Sequence, residues 1–463
     1  MIILEFKKII VKINKKPKIT LKKQINKKMS LNYSSNDSLN NQNSSKRIPM
    51  KDWRCRNASL YSRISQVGEG TFGKVYKAQY KSKTNTNYVA LKKILINENE
   101  GFPITAMREI LIMKRLHHQN ILKLIEIVLS EPNEKNKNRG NFYLVFEYME
   151  HDLSVLSTFH INYSLSEIKC ILHQILNGIG YLHKNNIIHR DIKSANILLN
   201  NKGEIKIGDF GLARIINPNP NIAKRYTNRV VTLWYRAPEL LLGETNYGFA
   251  IDVWSIGCVF SELLNGVPLF NGRTDNEQVE KIFEKCGIPN EESWKGVTKL
   301  KYWKERCPNA NYTFNLREVY KDNKKVDDIT FDLLSKMLIL DPSKRITVKD
   351  ALEHNFFKCE PFMCKPEELP IIGEDSHEYQ SRKDYKQNKI LMEANRGNKN
   401  LINNINHMNN PNNNNINIGN NNNNGVNNNG NKGNNNNMII GKNDLETNNN
   451  FRNEFLGIKR NPD

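Results

Sequence analysis

Between residues 61 and 357 the spacing of apolar residues changes once, and that change limits the fold more than any other feature of the chain. Runs 61–67, 74–80 and 88–94 alternate in the manner of strands and are joined by Gly-rich or Asn/Ser/Thr-rich turns, the mark of antiparallel hairpins. Residues 105–117 then read as one amphipathic helix, with Met107, Ile110, Leu111 and Leu116 largely on one side. After a polar insertion at 131–140, residues 142–148 are again strand-like. Beyond Asp152 the period becomes helical, at 166–183, 250–264, 277–286 and 329–338. Strands first and helices second predict two segregated lobes rather than alternating βαβ units, and no internal repeat is evident.

The flanks read differently. Of the 56 residues from 395 to 450, 30 are asparagine, too polar a tract to offset chain entropy by burial. The first 30 residues hold ten lysines and one glutamate, +9 of a net charge of +21. They lack the apolar core of a signal peptide and the Arg/Ser enrichment of a transit peptide. They read as a solvated basic tail, or as residues upstream of a start at Met29 or Met50. Without interleaved aromatics, direct nucleic-acid binding is not expected. No apolar run reaches the roughly 18–20 residues of a membrane-spanning helix, so no membrane role is expected. The seven cysteines (55, 170, 258, 286, 307, 359 and 364) are scattered, with no Cys-x-x-Cys, which argues for a reducing compartment and against a structural zinc site.

Gly68-Glu69-Gly70-Thr71-Phe72-Gly73 is a Gly-x-Gly-x-x-Gly and by itself admits an ordinary turn or a dinucleotide loop. A dinucleotide loop needs a helix directly after the third glycine. Here residues 74–80 alternate as a strand, so the loop joins two strands and can fold over phosphates as a flap. Val89-Ala90-Leu91-Lys92 follows, then His189-Arg190-Asp191-Ile-Lys193-Ser-Ala-Asn196, Asp209-Phe210-Gly211 and Ala237-Pro238-Glu239.

These five ordered motifs resemble a eukaryotic protein kinase throughout residues 61–357. The resemblance implies an α+β, bilobal protein kinase fold, with a small antiparallel β-rich N-lobe (61–149) carrying one regulatory helix and a larger, mainly helical C-lobe (150–357). Residues 1–60 are then a basic extension expected to be disordered, 358–394 a polar extension and 395–463 a disordered Asn-rich tail. More narrowly, Phe102-Pro-Ile-Thr-Ala-Met-Arg108-Glu109 is similar to the cyclin-contacting helix of the cyclin-dependent kinases, in its transcription-elongation form.

By that resemblance Lys92 grips the α/β-phosphates of ATP and pairs with Glu109, while Asn196 and Asp209 hold Mg²⁺ through hard oxygen donors. Asp191 orients the substrate hydroxyl and accepts its proton, and Lys193 steadies the transferred phosphate. Val67, Gly68, Glu69, Gly70, Thr71, Phe72, Gly73, Lys74, Val75 and Ala90 line the nucleotide. Phe146 gates the pocket behind adenine, Glu147 and Met149 offer hinge backbone groups, and Asp152 lies near the ribose. Glu239 pairs with Arg345, and Asp252 anchors the catalytic-loop backbone.

The same resemblance assigns regulation. Thr227 matches the activation-segment threonine phosphorylated by an activating kinase, and Arg108, Arg190 and Arg214 the arginines that receive its phosphate. Phe72 stands where cell-cycle members carry an inhibitory tyrosine. Val230, Val231 and Arg236 resemble the pocket for proline after the target residue, which implies Ser-Pro or Thr-Pro substrates such as the RNA polymerase II C-terminal repeat. Asp375-Ser-His377-Glu378-Tyr379 is similar to an extension of elongation kinases partnered by cyclin K, where it lies back across the nucleotide site. A cyclin K-like or T-like partner and a nuclear location follow from the family. A cell-cycle cyclin-dependent kinase remains an alternative within the enzymes, and a pseudokinase scaffold one from another class, although Lys92, Asp191, Asn196 and Asp209 are all intact.

Overall fold

The computed structural model describes residues 55–70, 73–81, 87–96, 102–132, 140–154, 161–216, 226–228, 230–373 and 375–377. Thr71, Phe72, the basic extension up to residue 54, Glu378 and everything beyond it lie outside the described residues. The chain forms two units, one from residues up to His117 with Leu122–Tyr148, the other from His118–Ile121 with Met149 onward. The boundary therefore falls between Tyr148 and Met149, one residue earlier than the expected division after 149, and His118–Ile121 of the first stretch belong to the second unit.

The first unit is a six-stranded sheet in the order β1-β5-β6-β4-β3-β2. Its strands are β1 (Arg56–Asn57), β2 (Tyr61–Gly70), β3 (Gly73–Tyr80), β4 (Tyr88–Lys93), β5 (Leu124–Leu129) and β6 (Phe142–Glu147). All pairs are antiparallel except β1 with β5. Alternation puts Tyr61, Ala78, Val89, Leu91, Val128, Tyr143 and Val145 into one apolar cluster, the burial that holds a half-solvated sheet together. One helix, α1 (Ile104–Met113), accompanies it. Its buried residues are Ala106, Glu109, Ile110, Ile112 and Met113, not Met107 and Leu111 as apolarity alone suggests. A carboxylate occupies the inward face because it is paired there.

The second unit is mainly helical. Helix α2 (Leu165–Lys184) opens with a capping box, Ser164 to the Glu167 amide and Glu167 back to the Ser164 amide, and closes on His183 and Lys184, which suit its negative end. Helices α3 (Pro238–Leu241), α4 (Ala250–Asn265), α5 (Asp275–Cys286), α6 (Trp303–Arg306), α7 (Asp328–Met337) and α8 (Val348–Leu352) follow. Helix α4 is buried almost all round, from Ile251 to Leu264, and ends where Gly266 takes φ +74°. No described helix is long and apolar enough to cross a membrane. Two small sheets carry the loops of interest: β10 (Ile205–Ile207), β9 (Ile197–Leu199) and β7 (His151–Asp152) in one, β11 (Arg214–Ile215) and β8 (Ile187–Ile188) in the other.

Described structure continues on both sides of residues 61–357. Arg56 donates to both Glu126 oxygens, at 2.8 and 2.5 Å, and Tyr61 Oη donates to the same carboxylate, so the sheet begins before residue 61. Beyond 357, Leu369, Ile372 and Ser376 are buried, and Ser376 bridges to His151 of β7. These segments pair through two residues and one residue, too few for a periodicity to announce them.

Candidate active site

In the first unit, Gly70 and Gly73 face each other at the end of the β2–β3 hairpin, with Gly68 opposite Val75 and Val67 at a register shift. Glu69 and Lys74 pair across it at 3.4 Å. Only glycine fits at 73: φ is +140°, and an added Cβ would sit 1.8 Å from the Lys93 carbonyl oxygen. On β4, Lys92 lies between Val75 of β3 and Leu144 of β6, while Ala90 lies beside Phe146. Lys92 Nζ meets Glu109 Oε1 at 2.8 Å, the carboxylate side chain only 3% exposed. Phe146 is buried, and Glu147 Oε1 accepts from the Lys123 amide at 2.7 Å. Arg108, next to Glu109, is exposed on α1.

In the second unit the sequence-predicted residues converge on Asp191. Asn196 Nδ2 donates to its Oδ2 at 2.9 Å and to its carbonyl at 2.7 Å, and Lys193 Nζ stands 3.5 Å from Oδ2. The other oxygen, Oδ1, accepts from the Thr232 amide at 3.1 Å and hydroxyl at 3.3 Å. With its nitrogen committed to Asp191, Asn196 leaves its amide oxygen for a cation. The Gly208 amide donates to the Asn196 carbonyl at 2.9 Å, which brings Asp209 alongside. Asp209 adopts φ +53°, uncommon outside glycine, with its carboxylate accepting from the Gly211 amide. A carboxylate and a carboxamide oxygen are hard donors that fit Mg²⁺.

Asp252, at the start of α4, holds the loop from below. Its carboxylate accepts from the His189 and Arg190 amides at 2.9 and 3.0 Å and from His183 Nε2 at 3.0 Å. Burial pushes its pKa up, but the bond and charge of His183, the charge of His189 and the Arg190 amide outweigh it and hold the group below its ordinary value. Arg345 forks onto both oxygens of Glu239, as the motif reading expects.

Arg190 is buried at φ +68°, donating to the Leu212 carbonyl and to Tyr247 Oη, both at 2.8 Å. Tyr247 in turn donates to the carbonyl of exposed Thr227 at 2.6 Å. Burial raises the Tyr247 pKa against the charge and hydrogen bond of Arg190 and the charge of Arg214. Val230 and Val231 are buried, Val231 at φ +68°. Arg236 donates to both of their carbonyls at 3.0 Å and to Asp275 at 2.8 Å.

Asp152 accepts from the Ser154 amide and hydroxyl, and His377 Nδ1 lies 3.7 Å from its other oxygen. Met149 is buried two residues before His151, whose ring bonds Ser376 and Asn201.

Sequence reading missed Thr232, Tyr247 and a buried cluster: Ser194 Oγ and Tyr235 Oη both donate to Glu262 Oε2, at 2.5 and 2.8 Å. Three loci far apart in sequence meet there, so no local motif marks it. Burial raises the Glu262 pKa against those two bonds. Glu262 therefore binds a proton more readily folded than unfolded, and stability falls as pH rises from 4.5 through the folded pKa. Glu262→Gln is expected to remove that slope in urea unfolding, and Glu262→Ala to cost about 1–3 kcal/mol through the orphaned hydroxyls.

The β-rich unit with its single helix, the helical unit and the Asp191 constellation define a protein kinase domain. The family model for the protein kinase domain matches residues 61–357. Cyclin-dependent kinase C-2 of Oryza sativa subsp. japonica is 48% identical over 343 residues, 72% of this chain and 65% of that protein. Cyclin-dependent kinase 9 of Homo sapiens is 44% identical over 316 residues, covering 66% of this chain and 82% of the relative. Cyclin-dependent kinase 12 of Caenorhabditis elegans is 44% identical over 348 residues, with 74% and 47% covered. The chain thus spans between about half and four fifths of these relatives' lengths. Among solved structures, the yeast RNA Pol II CTD kinase CTDK-1 complex aligns with a TM-score of 0.60 and 38% identity, covering 72% of this chain and 99% of that one. The chain belongs to the cyclin-dependent kinase family of protein kinases.

Proposed function

We propose that this chain is a cyclin-dependent serine/threonine kinase that transfers the ATP γ-phosphate to Ser-Pro or Thr-Pro sites of the RNA polymerase II C-terminal repeat, in the nucleus, during transcription elongation. The observation that carries the reading is the Asp191 carboxylate, oriented at one oxygen by Thr232 and at the other by Asn196 and Lys193. A carboxylate so held can align a substrate hydroxyl and take its proton, and phosphoryl transfer asks for little else beyond positioning and charge compensation. Lys193, 3.5 Å from Asp191, would meet charge on the phosphoryl group. Lys92, fixed by Glu109, would bind the α/β-phosphates under the Gly68–Gly73 flap. Mg²⁺ held by Asp209 and Asn196 would supply neutralisation of phosphate charge. Met149, Glu147 and Asp152 would take adenine and ribose, with His377 beside Asp152.

Preference for proline follows from Arg236. It occupies the carbonyls of Val230 and Val231, so a substrate amide arriving there would find no acceptor. Proline brings no amide hydrogen and escapes that penalty of about 1–3 kcal/mol. The choice of target is supported by the structural relative, the yeast RNA Pol II CTD kinase CTDK-1 complex. A cyclin of the K or T type would seat against α1 and bias Glu109 toward Lys92, and an activating kinase would phosphorylate Thr227.

The test is radiolabelled phosphate transfer to a Ser-Pro heptad-repeat peptide by the chain purified with its endogenous cyclin. Transfer that prefers this peptide to histone is expected; transfer to histone alone would shift the reading to the cell-cycle branch. Thr227→Ala is expected to lower turnover about tenfold or more, the weight of one charge-assisted bond of about 1.5 kcal/mol, with cyclin still bound. An unchanged turnover number would remove the phosphothreonine switch from the account.

A further inference from the structure

We propose that Cys170 and Cys364 form a modification site: hydrogen peroxide converts them to a disulfide that fastens the segment after α8 onto α2. All seven cysteines are free thiols, and two of them, Cys359 and Cys364, stand on the segment that meets this helix. Successive positions of α2 meet the segment 359–364. Ser166 Oγ donates to the Phe362 carbonyl at 2.6 Å, and the Cys364 amide donates to the Ser166 carbonyl at 3.4 Å. Cys170 lies one helical turn beyond Ser166, on the same face. Lys169 Nζ donates to the Cys359 carbonyl at 2.8 Å.

The Ser166 carbonyl that accepts from the Cys364 amide points along the helix toward position 170, which sets the Cys170 and Cys364 thiols against each other, and Gln174 Nε2 approaches Cys170 Sγ at 3.6 Å. The neighbouring Cys364 thiol lowers the pKa of Cys170 while its own is raised, so Cys170 is the more readily ionised of the two, with a thiol beside it. The thiolate attacks one peroxide oxygen, the O–O bond breaks, and a sulfenic acid and hydroxide result. The neighbouring thiol displaces the sulfenic oxygen as the S–S bond forms. Two thiol protons and two electrons pass to peroxide, and two waters leave.

The link would act on more than local structure. The fastened segment runs on to Ser376, whose amide donates to the Glu150 carbonyl and whose carbonyl accepts from the Asp152 amide. It thus ends on the strand that carries Asp152. In a reducing compartment a disulfide of this kind is transient, suited to sensing rather than to folding.

The full-length chain would be treated with peroxide, alkylated, digested without reductant and mapped by mass spectrometry. A dominant Cys170–Cys364 linked peptide is expected, reversed by dithiothreitol and absent in Cys364→Ser and in Cys170→Ala. Amide exchange at Asp152 and Ser376 should slow several-fold on oxidation of the wild type and not of Cys364→Ser. An alkylated Cys170 after oxidation, or a dominant Cys359–Cys364 link, would overturn the site. Unchanged exchange in the linked form would overturn its action on the segment.

Discussion

Asp191→Asn is expected to lower kcat by about 10²–10⁴-fold while leaving the ATP KM close to wild type and costing about 1–3 kcal/mol of stability. The shape is conserved, so the fold should survive. The chemistry is not. Both oxygens of Asp191 face donors: Thr232 N–H and O–H at one, Asn196 Nδ2 and Lys193 Nζ at the other. Whichever oxygen becomes an amide nitrogen meets a donor head-on, and neither position can then accept a substrate proton. Steady-state kinetics on the cyclin complex, with nucleotide binding measured separately, would distinguish loss of proton acceptance from loss of substrate. Activity within tenfold of wild type would remove Asp191 as the base.

Arg345→Ala is expected to destabilise the second unit by about 3–5 kcal/mol, the cost of leaving one member of a buried ion pair alone. Arg345 has no exposed side-chain surface and Glu239 has 2%, and their two hydrogen bonds are 2.8 and 3.0 Å. The same guanidinium also satisfies the Ala250, Ile339 and Leu340 carbonyls and lies over the Trp254 ring. Its removal orphans a carboxylate and three carbonyls at once. Against a typical stability of about 5–15 kcal/mol, urea unfolding should reveal a chain near its threshold. Lysine should rescue poorly, since one ammonium cannot reach the acceptors of a planar fork. Replacing both partners with apolar residues, Glu239→Leu with Arg345→Met, is expected to recover much of the loss. If Arg345→Ala costs under 1 kcal/mol, the pair is not the anchor its burial implies.

The motifs were legible because phosphoryl-transfer chemistry fixes residue types at short spacings. Asp191, Lys193 and Asn196 fall within six positions, and their mutual bonds follow from one turn of chain. The order of strands and helices was equally legible, since period 2 and period 3.6 are properties of neighbouring residues. The Lys92–Glu109 pair needed the family resemblance to be foreseen, because its partners sit on separate elements.

What the sequence by itself determined is the local grammar: which stretches become strand or helix, where glycine is obligatory, and which side chains are candidates for the chemistry. Tertiary structure alone decided which face of α1 turns inward, that Thr232 completes the grip on Asp191, and that Ser194, Tyr235 and Glu262 meet. It also decided that residues 56–57 and 376 join sheets they do not announce. The reason is physical. A hydrogen bond or buried contact between residues tens or hundreds of positions apart depends on the closed chain, and its energy leaves no period in the sequence around either partner.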